Sequence, residues 1–403
     1  MTVATPDLVS SAIRKPSRAI GRIVIATINR EEGDTGVHTH TRMLAGGLRE
    51  AGVACEVVSA FSGGRKWQPV FAVRPLLLHW INKTWSTLWH RRWHGAALRE
   101  SLRRYVATHR PDVVIAQCPV SARAALDVRG EMRGEFSVVL VCHFNGSEAS
   151  EYRDKGELAG ERHYGAMLAF EDRMLEEVDR VIYVSGWARQ SVEGARGVRT
   201  KSSAVIWNGL TEPAGGATLT REEIGLANDD LALVNVGSLE PRKNQLELID
   251  LFAQLQAEFP SARLVLVGDG PARGEIESKI AGMKLENVVR VLGHRRDVPG
   301  ILMLADLYVH YAALENCPLA LLEAARAGLA FAAVSAGGVP ELQAALDCRI
   351  DLSPHDLGKS LENLRPLVQN ERLRRDLGDR VRQKFRDRFT ARAMTRGYLG
   401  AIG

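Results

Sequence analysis

Short apolar runs rich in β-branched residues recur along this chain, spaced to leave room for a helix between them, and the series runs twice. The first comprises Arg22–Thr27 (RIVIAT), Val53–Val58, Val113–Ala116, Ser137–His143 and Arg180–Val184. Helical patterns lie between them at Val37–Ala51, Ala96–Thr108 and Glu161–Glu177. The runs are continuously apolar rather than alternating, as strands covered on both faces must be. Strands of that kind interleaved with helices specify a mostly parallel sheet. Near residue 205 the rhythm restarts. Val205–Trp207 leads into the turn Asn208–Gly209 and a Gly/Pro-rich stretch, Thr211–Thr218. Apolar runs then return at Ala232–Val236, Arg263–Val267, Val288–Leu292, Leu307–His310 and Leu329–Val334. A length of 403 residues fits two such domains at roughly 150 residues each. The segment Asn370–Tyr398 reads as helical and arginine-rich.

Several classes fall away on composition. No apolar run approaches the roughly 18 residues of a spanning helix. Arg14, Lys15 and Arg18 stand near the start without an apolar segment beside them, so no secretory leader is expected. Cysteines 55, 118, 142, 317 and 348 are scattered and form no CxxC, which predicts a reduced, cytoplasmic protein without structural zinc. The net charge of +5 is uneven: residues 1–210 hold 29 Lys/Arg against 22 Asp/Glu, and residues 211–403 hold 24 against 26. Residues 65–104 carry nine basic residues and one acid, Glu100. That stretch is either a solvated helical face or a surface for an anionic partner.

Glycines at Gly268, Gly270 and Gly274 follow a strand and precede a helix, as in a dinucleotide site. The spacing is GxGxxxG and no acid follows about twenty residues on, so a close-packing turn is the better account. A stronger constellation is Glu315-Asn-Cys-Pro-Leu-Ala-Leu-Leu-Glu323, which follows a strand and opens a helix. Asn316 is expected to cap that helix and Pro318 to sit in its first turn. The free amides there form a pyrophosphate seat without a glycine loop. Glu315 would lie just before the helix, and Glu323, about two turns in, within reach of a ribose. Gly237-Ser-Leu-Glu-Pro-Arg-Lys-Asn244 follows another strand of the same half, and its Arg242 and Lys243 could neutralise a diphosphate. Gly337-Gly-Val-Pro-Glu341 adds a third loop to the same carboxyl edge, where open α/β sheets hold ligands.

In the order GSLEPRKN, LVLVGDGP, VLGHRRDV, ADLYVHYAALENCPLALLEAARAG and AVSAGGVPEL, the chain resembles the donor half of glycosyltransferase family 4. The loop Thr35-Gly-Val37, the strand end Val141-Cys-His143, the run Val178–Ser185 and Trp207-Asn-Gly209 resemble that family's first half. The resemblance implies a GT-B fold, two Rossmann-like domains facing a central cleft. Residues 1–205 would form the acceptor-side domain and 206–375 the nucleotide-sugar domain, with a helix in 376–403 crossing back. It also implies a retaining, metal-independent hexosyltransferase with no cofactor, the nucleotide sugar being a substrate. Matched motif by motif, Glu323 resembles the ribose-binding carboxylate, and Glu315 the one facing donor-sugar hydroxyls and the reacting face. Lys243 resembles the phosphate-binding lysine. The amides of Asn316, Cys317 and Leu319 resemble the pyrophosphate seat, Gly36 the glycine that approaches the phosphates, and His143 the histidine on the donor sugar. Many relatives carry arginine where Ser238 stands, so Arg242 is placed in part of that role. His294, Arg295 and Arg296, with the turn Gly270–Ala272, fall where the base would lie.

On the acceptor side, residues 74–94 hold four of the seven tryptophans, including Trp80, Trp85 and Trp89. With Arg91 and Arg92 beside them, the stretch suits either an anionic membrane surface or the first domain's core. The expected donor is a UDP- or GDP-sugar, and the acceptor a glycan or polyprenyl-diphosphate-linked saccharide of cell-surface polysaccharide or lipopolysaccharide-type synthesis. The expected location is cytoplasmic, peripheral at the inner membrane face if that stretch docks. Two other classes compete: a nucleotide-sugar epimerase on the same architecture, and a nucleic-acid binder using residues 65–104. The second lacks any RNA-binding signature or zinc module, so no nucleic acid is expected.

Overall fold

The structure, a computed structural model, describes residues 20–73, 78, 81–212 and 219–403. Arg14, Lys15, Arg18, Trp80 and residues 213–218 of the Gly/Pro-rich stretch lie outside the described residues. The first sheet comprises β1 (Arg22–Thr27), β2 (Ala54–Ser59), β3 (Val113–Ala116), β4 (Ser137–Cys142), β5 (Arg180–Tyr183) and β6 (Ser203–Val205). Its order is β2-β1-β3-β4-β5-β6. The second comprises β7 (Leu231–Val236), β8 (Ala262–Val267), β9 (Val289–Val291), β10 (Leu307–His310), β11 (Phe331–Val334) and β12 (Asp351–Leu352), in the order β12-β11-β10-β7-β8-β9. Every strand pairing is parallel. The helices used below are α1 (Gly36–Glu50), α2 (Lys83–His109), α3 (Pro119–Met132), α4 (Glu148–Asp154), α5 (Glu161–Glu177), α6 (Leu319–Ala327), α7 (Val339–Ala345), α8 (Glu371–Arg388) and α9 (Ala391–Ile402).

The continuous apolar runs are explained by two-sided burial. In β1, Ile23 and Ile25 enter one core while Val24 and Ala26 enter another. In β8, Val265 and Val267 join the Ile23 core, and Leu264 and Leu266 pack on the outer face of the second domain. The Ile23 core therefore runs from one domain into the other without a break.

The helical segment read across 370–398 is two helices, and only the second of them crosses back. The chain breaks at Phe389–Thr390, and the Thr390 hydroxyl accepts the Ala393 amide to cap a new helix. Helix α8 stays with the second domain, packed on α6, whereas α9 lies on α1 of the first. The connection is tied where the two crossings meet: Leu210 N–H donates to Phe389 O, and Ala391 N–H donates to Leu210 O. A Cβ on Gly209 would stand 2.3 Å from the Thr390 oxygen, so only glycine fits there. Strand β12 was missed because two residues are too few to make an apolar run. Helix α2 begins thirteen residues before Ala96, where the Asn82 side chain caps it by accepting the Trp85 amide at 3.0 Å.

Strand order reverses between β1 and β3 in one sheet and between β7 and β10 in the other. Such switch points open crevices at the carboxyl edge. The loops after β7 and β10 carry Lys243 and Glu315, and the loops after β1 and β3 lead to Gly36 and Gln117.

Candidate active site

The loop after β7 turns through a short 3-10 segment, Pro241–Lys243, and leaves through Asn244 at φ 53°. That turn aims two cations at the loop after β10. Lys243 Nζ donates to Glu315 Oε1, and Arg242 Nη1 reaches the same oxygen at 3.2 Å. Arg242 Nε is held by Glu240 at 2.8 Å, which fixes the guanidinium's orientation. Burial opposes ionisation of Glu315, but Lys243, His310 and Arg242 outweigh it and hold its pKa below the ordinary value. The carboxylate is thus charged, mostly enclosed and shared between two cations.

The backbone beyond Glu315 is clamped by the glycine pair of the third loop. Gly338 N–H donates to Glu315 O at 2.8 Å. Cβ atoms on Gly337 and Gly338 would stand 2.3 and 1.9 Å from the carbonyl oxygens of Glu315 and Asn316, so no side chain fits at either. Asn316 does not cap the helix as expected. It is buried, and its Nδ2 donates across the cleft to the carbonyls of His143 and Phe144. Helix α6 starts at Leu319 with Pro318 before it and no side-chain cap. Cys317 is buried, burial raises its thiol pKa to about 12, and its carbonyl accepts from Asn208 Nδ2. A Cβ on Gly36 would lie 3.6 Å from Leu319, so the amino ends of α1 and α6 abut, two positive dipole ends on one spot.

Glu323 is half-buried and burial raises its pKa, against the pull of Arg326 and Arg42. It lies beside Met303, Arg326 and Arg382 on a small cavity of about 50 Å³. His294 is exposed and stands 3.4 Å from Asp34 of the first domain, while Arg295 forks onto Asp297 at 2.8 and 2.6 Å.

The facing wall is neutral. His143 Nε2 is 2.9 Å from Gln117 Oε1, and burial followed by the neighbouring His40 depresses its pKa well below the usual value. His40, whose ring centroid is 4.6 Å away, is pushed down to about 4 by burial. His40 Nδ1 meets Asn208 Oδ1 at 2.9 Å and Nε2 meets the Tyr398 hydroxyl at 3.2 Å. A chain of contacts therefore runs from α9 through His40 and Asn208 to the Cys317 carbonyl. Glu341, expected on the ligand rim, instead accepts the amides of Gly186 and Trp187 and latches α7 to the first domain. Gln117 Nε2, Asn145 Oδ1, Asn316 Oδ1 and His310 Nε2 are buried without a hydrogen-bond partner. Sequence reasoning missed His40, Gln117, Asn145 and Tyr398. Asn208 carried a signal, its Asn-Gly turn, but not a role.

The tryptophan stretch divides. Trp85 and Ile81 are 64% and 69% exposed, and Arg92 is exposed. Trp89 turns inward, with Nε1 donating to Val70 O and its ring 5.5 Å from Trp93. Arg91 is not a surface cation either: it is buried, paired with Glu148 and set over the Tyr152 and Phe170 rings. Among the described residues no helix is long and apolar enough to cross a membrane.

Two family models match in tandem: "Glycosyltransferase Family 4" over residues 35–211, and "Glycosyl transferases group 1" over 217–384. The chain is 26% identical over 181 residues to N-acetyl-alpha-D-glucosaminyl L-malate synthase of Bacillus anthracis, covering 45% of this chain and 47% of that protein. It is 32% identical over 114 residues to an Escherichia coli enzyme named UDP-Gal:alpha-D-GlcNAc-diphosphoundecaprenol alpha-1,3-galactosyltransferase, covering 28% of this chain and 30% of the other. The matches span about half or less of these curated relatives. Among solved structures, sucrose-phosphate synthase of Thermosynechococcus elongatus superposes with a TM-score of 0.73 at 18% identity, over 94% of this chain and 98% of the other. Anabaena HepE, crystallised with UDP and glucose, gives 0.69 at 17% identity over the same shares. These likenesses show the GT-B fold.

Proposed function

The chain belongs to the family-4 glycosyltransferases, and from that premise we propose that it moves a sugar from a UDP- or GDP-linked donor to a glycan or polyprenyl-diphosphate-linked acceptor, with retention. The observation that carries this is the convergence of Lys243, Arg242 and Glu315 at the abutting amino ends of α1 and α6. Breaking a sugar–phosphate bond leaves negative charge on the departing diphosphate and positive character on the sugar. Lys243, Arg242 and the helix-end amides supply preorganised positive charge for the first. Glu315, ionised and enclosed, faces the second and the sugar hydroxyls. No divalent metal is required for this scheme. His143, kept neutral, offers a hydrogen bond to the sugar without repelling its cationic character. The buried unpartnered atoms of Gln117, Asn145 and Asn316 favour a polyhydroxylated ligand between the walls. Half-buried Glu323 suits ribose hydroxyls. Retention follows the family's front-face route, in which the acceptor attacks from the side the diphosphate leaves.

The relatives' names, one a synthase of an N-acetylglucosaminyl L-malate and the other a galactosyltransferase acting on a diphosphoundecaprenol-linked GlcNAc, support a small or lipid-linked acceptor. Ile81, Trp85 and Arg92 are read as the contact with an anionic membrane surface, which on this reading is the cytoplasmic face. The test is a thermal-shift panel of nucleotides and nucleotide sugars. A ligand at about 100 times its Kd stabilises by about 2.7 kcal/mol. Silence of all nucleoside diphosphates would overturn the donor assignment. A donor converted to its epimer without acceptor would replace transfer by epimerisation, and the anomeric configuration of the product tests retention.

A further inference from the structure

A cavity of about 470 Å³ lies in the first domain on the flank formed by α2, α3 and α5, lined by none of the residues of the Glu315 site. That is within the ~300–1,000 Å³ range of ligand pockets. Its floor is apolar: Leu88 and Ala96 come from α2, Val120 and Ala124 from α3, Met167 and Phe170 from α5. Its rim carries Arg92, Arg99 and Arg123 against one lining carboxylate, Asp127, while Arg91 is buried behind it. Arg91, Arg99 and Arg123 are engaged by Glu148, Glu131 and Asp127. Arg92 has no carboxylate partner among the described residues and rests over the Trp93 ring at 5.6 Å. Along α2, Trp85, Leu88, Arg92, Ala96 and Arg99 recur at helical spacing, so the exposed Trp85 continues the same stripe. Ile81, just before the capping Asn82, is exposed as well.

We propose that this groove binds the hydrocarbon chain of a lipid carrying a phosphate head, the chain on the Leu88–Met167–Phe170 floor and the phosphate at Arg92. An apolar trough with an excess of arginine at its edge complements an anionic amphiphile, while an uncharged chain or a bare anion satisfies only half of it. The exposed Trp85 and Ile81 stand where such a lipid would leave a bilayer. The assignment is independent of the nucleotide site.

The probe is decyl phosphate below its micelle concentration, titrated calorimetrically against decanol and inorganic phosphate. Decyl phosphate should bind at least tenfold more tightly than either. Ala166→Trp places a ring into the groove from an exposed position of α5 and should weaken decyl phosphate at least tenfold, while Ala166→Ser should not. Arg92→Gln should bring decyl phosphate close to decanol. UDP and GDP binding, measured in the same variants, should stay unchanged and reports that they are folded. Inorganic phosphate binding as well as decyl phosphate, or an Ala166→Trp variant that binds like wild type, would overturn the groove without touching the donor reading.

Discussion

The carboxyl edges of the two sheets face each other across one cleft, but they are furnished oppositely. On the second domain the switch point between β7 and β10 concentrates charge: Lys243 and Arg242 share one carboxylate oxygen of Glu315. On the first domain the matching edge is neutral, with His143, Gln117 and His40 in a buried hydrogen-bonding wall and both histidines depressed by burial. Two similar folds thus supply complementary halves. On the proposed reading, one would neutralise a leaving diphosphate, and the other would present uncharged donors and acceptors to hydroxyls. The difference teaches that the fold fixes where a ligand can lie, while the loop residues decide what kind it is.

The sharpest break of this contrast is Glu315→Gln. If the charged side acts on the reacting sugar, turnover should fall by about 10²–10³, the order seen for losing one preorganised electrostatic group. Diphosphate affinity should change far less, since the proposed role of Glu315 is to face the transferred sugar rather than the phosphates. Steady-state kinetics with parallel UDP and GDP calorimetry separates the two, and a collapse of diphosphate affinity would exchange the roles of Glu315 and Glu323. Lys243→Ala comes next. Losing one charge-assisted bond should cost roughly 1.5–3 kcal/mol in diphosphate binding and little in nucleoside binding. Equal losses for both would remove Lys243 from the phosphates.

The neutral side is probed by pH. His40 has a pKa of about 4 in the folded chain against 6.5 as the reference, so the unfolded state binds its proton first. Stability from this group is complete above about pH 6.5 and falls as pH drops towards 4, with a slope on the order of 1 kcal/mol per pH unit. Urea unfolding at pH 7 and pH 5 should show a smaller difference for His40→Phe than for wild type. An unchanged difference would mean that His40 is charged in the folded chain.

How much of this could be read from the sequence also differs between the halves. The strands β1, β3 and β10 are legible to the residue because two-sided burial demands unbroken apolar runs. Lys243 and Glu315 are legible because charged residues cluster in loops directly after strands. Asn316 misleads: its position looks like a cap, but its amide is spent on carbonyls more than 170 positions away, which no local pattern encodes. His40 and Tyr398 meet across 358 positions and only because α9 returns onto α1. Arg91 and Arg92 are neighbours of the same type. Their different fates, one buried on Glu148 and one exposed, come from helix rotation against α4 and α5.

The smallest effect tests whether the first domain's neutrality gives way to an anionic surface at its outer edge. Trp85 and Ile81 are the exposed large apolar side chains among the described residues of that domain, and each exposed cation near an anionic surface adds about 1 kcal/mol. Liposomes with and without anionic lipid should sediment the wild type only in the first case, with binding reduced by salt as charges are screened. Trp85→Ser combined with Ile81→Ser should weaken sedimentation several-fold, whereas Trp89→Ser should act through stability, because its indole is tied to Val70 inside the domain. UDP or GDP affinity should persist in the double variant. A wild type that stays in the supernatant at low salt would leave the start of α2 as a plain solvent-facing turn, and a water-soluble acceptor would then fit the site better.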